Sequence, residues 1–184
     1  MEPFSLRTER LVLDQPSVTD VDRIALYCAD PVFEKFMTTP WPYKRPDAEY
    51  FVNDFVPGGW SSGSEWTWAI RDGDGQDLLG VLGVRMNSGM VGYWLGGPHR
   101  GRGIMPEALA AAMDAVFERT DRSEILWECV AGNVASMKVA QKVGFRFTGE
   151  APGMTPSRDG SVARSWTGVL GRADDRVPRA GWPA

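Results

Sequence analysis

Gly92-Tyr-Trp-Leu-Gly-Gly-Pro-His-Arg-Gly-Arg-Gly-Ile-Met105 decides how the rest of the chain is read. From Met90 to Leu95 the residues have the apolar and aromatic content of a strand. Beyond the glycines, Met105, Leu109, Ala112, Met113, Val116 and Phe117 recur at helical spacing. A strand therefore feeds a glycine-rich loop and then a helix. Glycine lets the backbone approach a ligand closely, and a helix start offers unpaired amides and the positive end of a dipole. Arg100 and Arg102 add cationic charge suited to a pyrophosphate. An ordinary strand-to-helix turn with solvated arginines is the competing reading. No Gly-x-x-x-x-Gly-Lys-Ser/Thr run exists, and the loop follows hairpins instead of opening a βαβ unit, so kinase, NTPase and Rossmann readings fall away.

Upstream, Glu65 to Arg71, Leu78 to Met86 and Met90 to Leu95 read as strands joined by the hairpin signals Asp72-Gly-Asp-Gly75 and Asn87-Ser-Gly89. Nearer the start, Thr8 to Asp14 predicts a strand, and Ser17 and Asp20 precede a helical pattern at Val21, Ile24, Ala25 and Cys28. A second helix is expected from about Asp47 until Pro57-Gly-Gly59 stops it. Downstream, Ile125 to Val130 reads as a buried strand. Asn133 caps a helix carrying Val134, Met137, Ala140 and Val143, and Gly144 ends it. Strands near Phe145 to Glu150 and Val162 to Leu170 complete the ordered part. One domain over residues 1–170 is expected, with 171–184 a charged, Gly- and Pro-rich tail, in part disordered.

A chain of 184 residues and 43% apolar content can bury one sizeable core. The absence of a long apolar run or a basic, apolar leader predicts a soluble, cytoplasmic protein without a membrane partner. Cys28 and Cys129 lack metal-site spacing, so neither a structural disulfide nor a metal is expected. A net charge of −4 argues against a nucleic-acid partner.

Gly92-Tyr-Trp-Leu95, the Arg-x-x-Gly-x-Met loop from Arg100 to Met105, Glu107-Ala-Leu109, Asn133-x-x-Ser136 and Lys142-Val-Gly-Phe145 together resemble the GNAT N-acetyltransferase superfamily. Within it the chain is most similar to the branch of ribosomal-protein N-terminal alanine and serine acetyltransferases, from about Leu6 to Leu170. The resemblance implies an α/β (α+β) fold: a mixed, mostly antiparallel twisted sheet of about seven strands with about four helices. It also implies that the fourth and fifth strands, Met90 to Leu95 and Ile125 to Val130, splay apart around acetyl-CoA, the co-substrate. By that likeness Leu95 holds the pantetheine arm, Arg100, Gly101, Arg102, Gly103, Ile104 and Met105 line the pyrophosphate, and Asn133 serves the coenzyme side. The implied activity is direct transfer of an acyl group, acetyl first, to a primary amine of a protein N-terminus or a small molecule. A homodimer stays open, as does a non-catalytic acyl-CoA-binding module.

Acyl transfer to an amine needs a deprotonated nucleophile and an acid for the departing thiolate. Ser136, one helical turn from Asn133, is the expected acid; as plain N-cap and first-turn hydroxyl the two would be structural only. The Glu that the resembled branch carries after its Gly-Phe pair is Thr148 here. Glu128 and Glu65 remain as candidate bases. Glu128 is preferred, because its strand borders the implied acyl channel while Glu65 starts a strand nearer solvent. His99 is expected to pack beside the phosphate region, and Cys129 to be a small buried side chain. Trp41, Tyr43, Trp60, Trp66 and Trp68 are core residues or the walls of an acceptor pocket.

Overall fold

A computed structural model describes residues 2–154 and 156–183. The outermost residues of the expected domain and tail, Met1 and Ala184, lie outside the described residues. The chain opens with a tight hairpin, β1 (Leu6–Arg7) and β2 (Leu11–Asp14), where the sequence alone predicts one strand. Thr8 makes the turn: its amide donates to Leu11 O at 3.0 Å and its hydroxyl accepts the Leu11 N–H at 2.9 Å. Helices α1 (Val21–Cys28) and α2 (Pro31–Phe36) follow. The second was not expected, although Asp30 caps it by accepting the Val32 N–H and Pro31 supplies the fixed φ of a first turn.

Helix α3 (Arg45–Tyr50) does not stop at Pro57. One turn of π-helix (Phe51–Phe55) links it to α4 (Val56–Ser62), which ends at Gly63 with φ 70°. Proline lacks the N–H that an α-helical turn requires, and the wider π turn just before it accommodates that gap. Strands β3 (Glu65–Asp72), β4 (Leu78–Arg85) and β5 (Met90–Leu95) form the expected antiparallel meander. Then come α5 (Ile104–Arg119), β6 (Glu124–Val130), α6 (Val134–Val143), β7 (Arg146–Pro152) and β8 (Arg164–Gly171).

The described strands make one eight-stranded sheet in the order β1-β2-β3-β4-β5-β6-β8-β7, antiparallel except for β5 beside β6. The parallel pair is short, Met90 with Leu126 and Val91 with Trp127, after which the strands part. This is the expected splay, and it opens toward the carboxyl ends of both strands. The Gly96 amide donates to Leu79 O at 2.9 Å, so in the alternating antiparallel ladder the backbone groups of Leu95 and Tyr93 point away from β4, into the opening.

Strand alternation sets two faces. Trp68, Leu82, Val91, Ile125 and Trp127 pack against Leu109, Met113 and Ala140 of α5 and α6. On the opposite face Ala69 and Val81 meet Ile24, Phe33 and Ala48 from α1, α2 and α3. A buried ion pair pins the turn before α1: both Nη atoms of Arg71 lie 2.7 Å from the Asp20 carboxylate, and its Nε lies 2.7 Å from Asp14. Burial opposes charge on Asp20, yet Arg71 and the Ser17 amide overcome it and hold the carboxyl below its usual value.

Residues 172–183 carry no helix or strand but lie against the domain. Arg172 donates to the carbonyls of Phe117, Thr120 and Arg122 at the end of α5. Gly144 has φ 95°, and a Cβ there would stand 2.6 Å from the Arg176 Cα, so only glycine lets the tail pass so close. Beyond it the Trp182 ring meets Trp127 edge-on at 5.5 Å.

Candidate active site

Two helix starts, Ile104 and Val134, come after the carboxyl ends of the parting strands, α5 being the next α-helix after β5 and α6 the next after β6. Gly101 and Gly103 have φ of 75° and 76°, a backbone that side chains rarely allow. A Cβ on Gly101 would meet nothing within 4 Å, so open space lies before it. Among the described residues no amide from Gly101 to Met105 donates a hydrogen bond, Gly103 has no side chain to cap the helix, and Pro106 has no N–H. Such a run of bare amides at a dipole's positive end is suited to an anion. Arg10 braces it from behind, with Nη1 3.4 Å from Arg102 O and Nε 2.7 Å from Glu107.

The two loop arginines differ. Arg102 is exposed. Arg100 turns back, its Nε 3.1 Å from Leu95 O and its Nη1 2.9 Å from Asp30. His99 is hydrogen-bonded to Tyr27 at 2.7 Å; burial, then Arg102 and Arg23, push its pKa down, which favours neutral imidazole.

Inward of the mouth a cavity of about 240 Å³ passes through the sheet at the splay. On the α6 side Tyr93, Trp127, Cys129, Asn133 and Ser136 line it. On the other face it is bounded by Glu65, Gly83, Gly92 and Glu128, and roofed by Met37 and Arg158. Expected site residues Ser136, Asn133 and Glu128 thus share one cavity. Leu95 and Arg100 to Met105 lie outside it, at the far end of β5.

Ser136 sits in a closed polar cluster. Asn133 Oδ1 accepts its amide at 3.2 Å, and its hydroxyl donates to Tyr93 Oη at 3.1 Å. Tyr93 donates in turn to Ser136 O at 3.0 Å, and Trp127 Nε1 lies 3.0 Å from Tyr93 Oη and 3.2 Å from Ser136 Oγ. Burial raises the Tyr93 pKa, so the phenol remains a proton donor. It likewise pushes the Cys129 thiol up to about 12, which keeps it un-ionised and a poor nucleophile.

The carboxylates differ from expectation. Glu128 is occupied: its Oε2 accepts the Met154 N–H at 2.9 Å and its Oε1 the Ser165 hydroxyl at 3.4 Å. Glu65 is no solvent-side residue. Its side chain is 21% exposed, and its Oε2 lies 3.9 Å from Arg85 Nε. Burial raises its pKa, against the pull of Arg85. The roof is fixed by Arg158, which donates to Phe33, Glu34, Met37 and Thr39 carbonyls at 2.6–2.9 Å. Trp60, Trp66 and Trp68 belong to the core with Phe4 and do not line the cavity. Sequence reading missed Tyr93, whose parity with Leu82 aims it at the core face, and Arg158, whose partners are over a hundred residues away in sequence.

Comparison with known proteins agrees with this geometry. Residues 10–146 match the model of the acetyltransferase (GNAT) domain. The N-acetyltransferase p20 of Bacillus licheniformis, itself uncharacterized, is 26% identical over 153 residues, which cover 79% of this chain and 84% of that protein. A structure from Vibrio cholerae assigned as a ribosomal-protein-serine acetyltransferase superposes with a TM-score of 0.78 at 21% identity, over 93% of this chain and 99% of the other. The self-immunity acetyltransferase MccE, solved with acetyl-CoA and AMP, gives 0.74 at 17% identity, over 89% and 93% of the two chains. These likenesses share the fold, and the matched domain gives the identity: the chain belongs to the GNAT acetyltransferase family.

Proposed function

We propose that this acetyltransferase binds acetyl-CoA at the mouth of the splay and transfers the acetyl group directly to a primary amine, of a protein N-terminus or a small molecule, arriving from the opposite face. The observation that carries the reading is the run of unpaired amides from Gly101 to Met105 beyond the end of β5, together with a cavity at the splay lined from both faces of the sheet. The pyrophosphate meets those amides and Arg102, while Arg100 steadies the loop through Leu95 O and Asp30. The pantetheine arm extends along the open edge of β5, where the Leu95 N–H and the backbone groups of Tyr93 replace the missing strand. The thioester then lies beside Ser136, whose hydroxyl protonates the departing thiolate, with Asn133 and Tyr93 holding it in place. Both cysteines are free and buried, which fits the reducing cytoplasm.

Acetyl-CoA-dependent thiol release with a panel of amines tests the reading: peptides with free N-termini, polyamines and aminoglycosides. Turnover that requires both acetyl-CoA and an amine is expected. Binding of acetyl-CoA with no turnover on any amine would return the chain to a binding module.

A further inference from the structure

On the face of the sheet away from Ser136, the cavity floor is bare backbone. Gly83 and Gly92 are cross-strand partners in β4 and β5, and Gly92 lies where β5 begins to part from β6. A Cβ on Gly92 would meet nothing within 4 Å. A Cβ on Gly83 would stand 2.9 Å from Glu65 Oε1 and 3.3 Å from Thr67 Oγ1. Glycine at 83 thus lets the Glu65 carboxylate lie flat over β4, one strand from the opening. The Thr67 hydroxyl beside it is 2% exposed and has no hydrogen-bond partner, so the Glu65 carboxylate lies in a sparsely hydrogen-bonded setting.

We propose that Glu65 receives the acceptor's ammonium on this face and takes its proton, and that the acceptor is an unhindered primary amine reaching the thioester across Gly83 and Gly92. Glu128 then shapes the wall, since its oxygens are held by Met154 and Ser165. The inference rests on the acetyl-transfer reading above. In the reaction the ammonium N–H breaks and Glu65 takes the proton, later released to water. The freed lone pair forms the C–N bond at the thioester carbonyl. As the C–S bond breaks, its electron pair stays on sulfur, which takes a proton from the Ser136 hydroxyl. The second proton leaving nitrogen replenishes that hydroxyl, through the cluster or water.

Burial raises the Glu65 pKa against the pull of Arg85, the direction that strengthens a carboxylate as a proton acceptor. The charged groups that line the cavity with Glu65 are Arg85 on β4, 3.9 Å away, Glu34 and Lys35 at the end of α2, Glu128 on β6 and Arg158 on the β7–β8 loop. Helix α4, packed against it at Gly59, carries no titratable side chain. Tyr93 and Cys129 stay neutral in the assay range.

The test uses the whole chain with an amine that the wild type acetylates, comparing Glu65→Gln, Glu65→Asp and Glu128→Gln. Glu65→Gln should lower kcat/KM for the amine by about 100-fold at pH 7, the deficit shrinking as pH nears the amine's own pKa. Glu65→Asp should recover part of the loss, and Glu128→Gln should cost less than about fivefold. The thermal shift given by acetyl-CoA should persist in each, which also reports folding. Turnover by Glu65→Gln within about threefold of wild type with an unchanged pH profile, or a larger loss in Glu128→Gln, would overturn the proposal while leaving acetyl transfer intact. No transfer by the wild type to any amine would overturn both.

Discussion

Tyr93 and Ser136 are joined by two hydrogen bonds: the Ser136 hydroxyl donates to the phenol oxygen at 3.1 Å, and the phenol donates to the Ser136 carbonyl at 3.0 Å. The first fixes the rotamer of Ser136, and the second holds the helix start against β5. Ser136→Ala should therefore lower kcat by about 10- to 100-fold while changing acetyl-CoA affinity less than about threefold. Tyr93→Phe removes the acceptor for both Ser136 and Trp127 and should cost about 1–3 kcal/mol of stability as well as turnover. Steady-state kinetics and chemical denaturation separate the two effects. Equal turnover in Ser136→Ala would leave that hydroxyl a structural cap.

The anion cradle depends on backbone that side chains cannot follow. Gly101→Val and Gly103→Val each place a branched side chain at a φ near 75°, on Gly101 into the open space before the loop and on Gly103 against Arg10, which braces it. Acetyl-CoA at a hundred times its Kd should stabilise the wild type by about 2.7 kcal/mol, and both variants should lose that shift. Thermal denaturation with and without the ligand is the measurement. A full shift in either variant would place the phosphate site elsewhere.

Stability at low pH should follow Asp20. Its folded-state pKa is depressed, so the Arg71 pair contributes fully above the unfolded carboxyl value, about pH 4, and is lost as pH falls through the lower folded value. Asp20→Ala should destabilise by about 3 kcal/mol at pH 7, since it leaves the buried guanidinium with Asp14 as its one carboxylate partner, and the gap should narrow in acid. Urea titrations at several pH values read this directly. A constant difference down to pH 2 would dissociate the pair from the pH dependence.

The C-terminal segment should matter beyond its length. Trp182 touches Trp127, whose indole N–H serves both Tyr93 and Ser136, and also packs 5.4 Å from Phe147. Trp182→Ala should cost on the order of 2 kcal/mol and lower kcat more than it raises the KM for acetyl-CoA. Gly144→Ala should act in the same direction by displacing Arg176. Denaturation and steady-state kinetics on both variants check this.

Local signals carried much of the fold. Alternation and turn glycines gave β3 to β5, helical spacing gave α5 and α6, and the ordered motifs from Gly92 to Phe145 gave the family. These are properties of neighbours in sequence, where φ preference and periodicity act. Asp30-Pro31 marks the start of α2 locally, a capping carboxylate before a first-turn proline, whereas continuation of the helix through Pro57 depends on a π turn with no comparable signature.

The residues of the splay loop and of Asn133-x-x-Ser136 could be named from sequence because they stand at element boundaries, where glycine and capping side chains leave a mark. Which surroundings each candidate carboxylate has was decided in three dimensions. Glu65 and Glu128 lie on strands separated by β4 and β5, and each looks like a solvated strand residue along the chain. Only the assembled sheet shows Glu128 held by Met154 and Ser165, Glu65 laid over Gly83, and Arg158 tied to the end of α2. Side-chain electrostatics depend on burial and on partners brought from distant segments, and a linear sequence specifies both only through the fold it adopts.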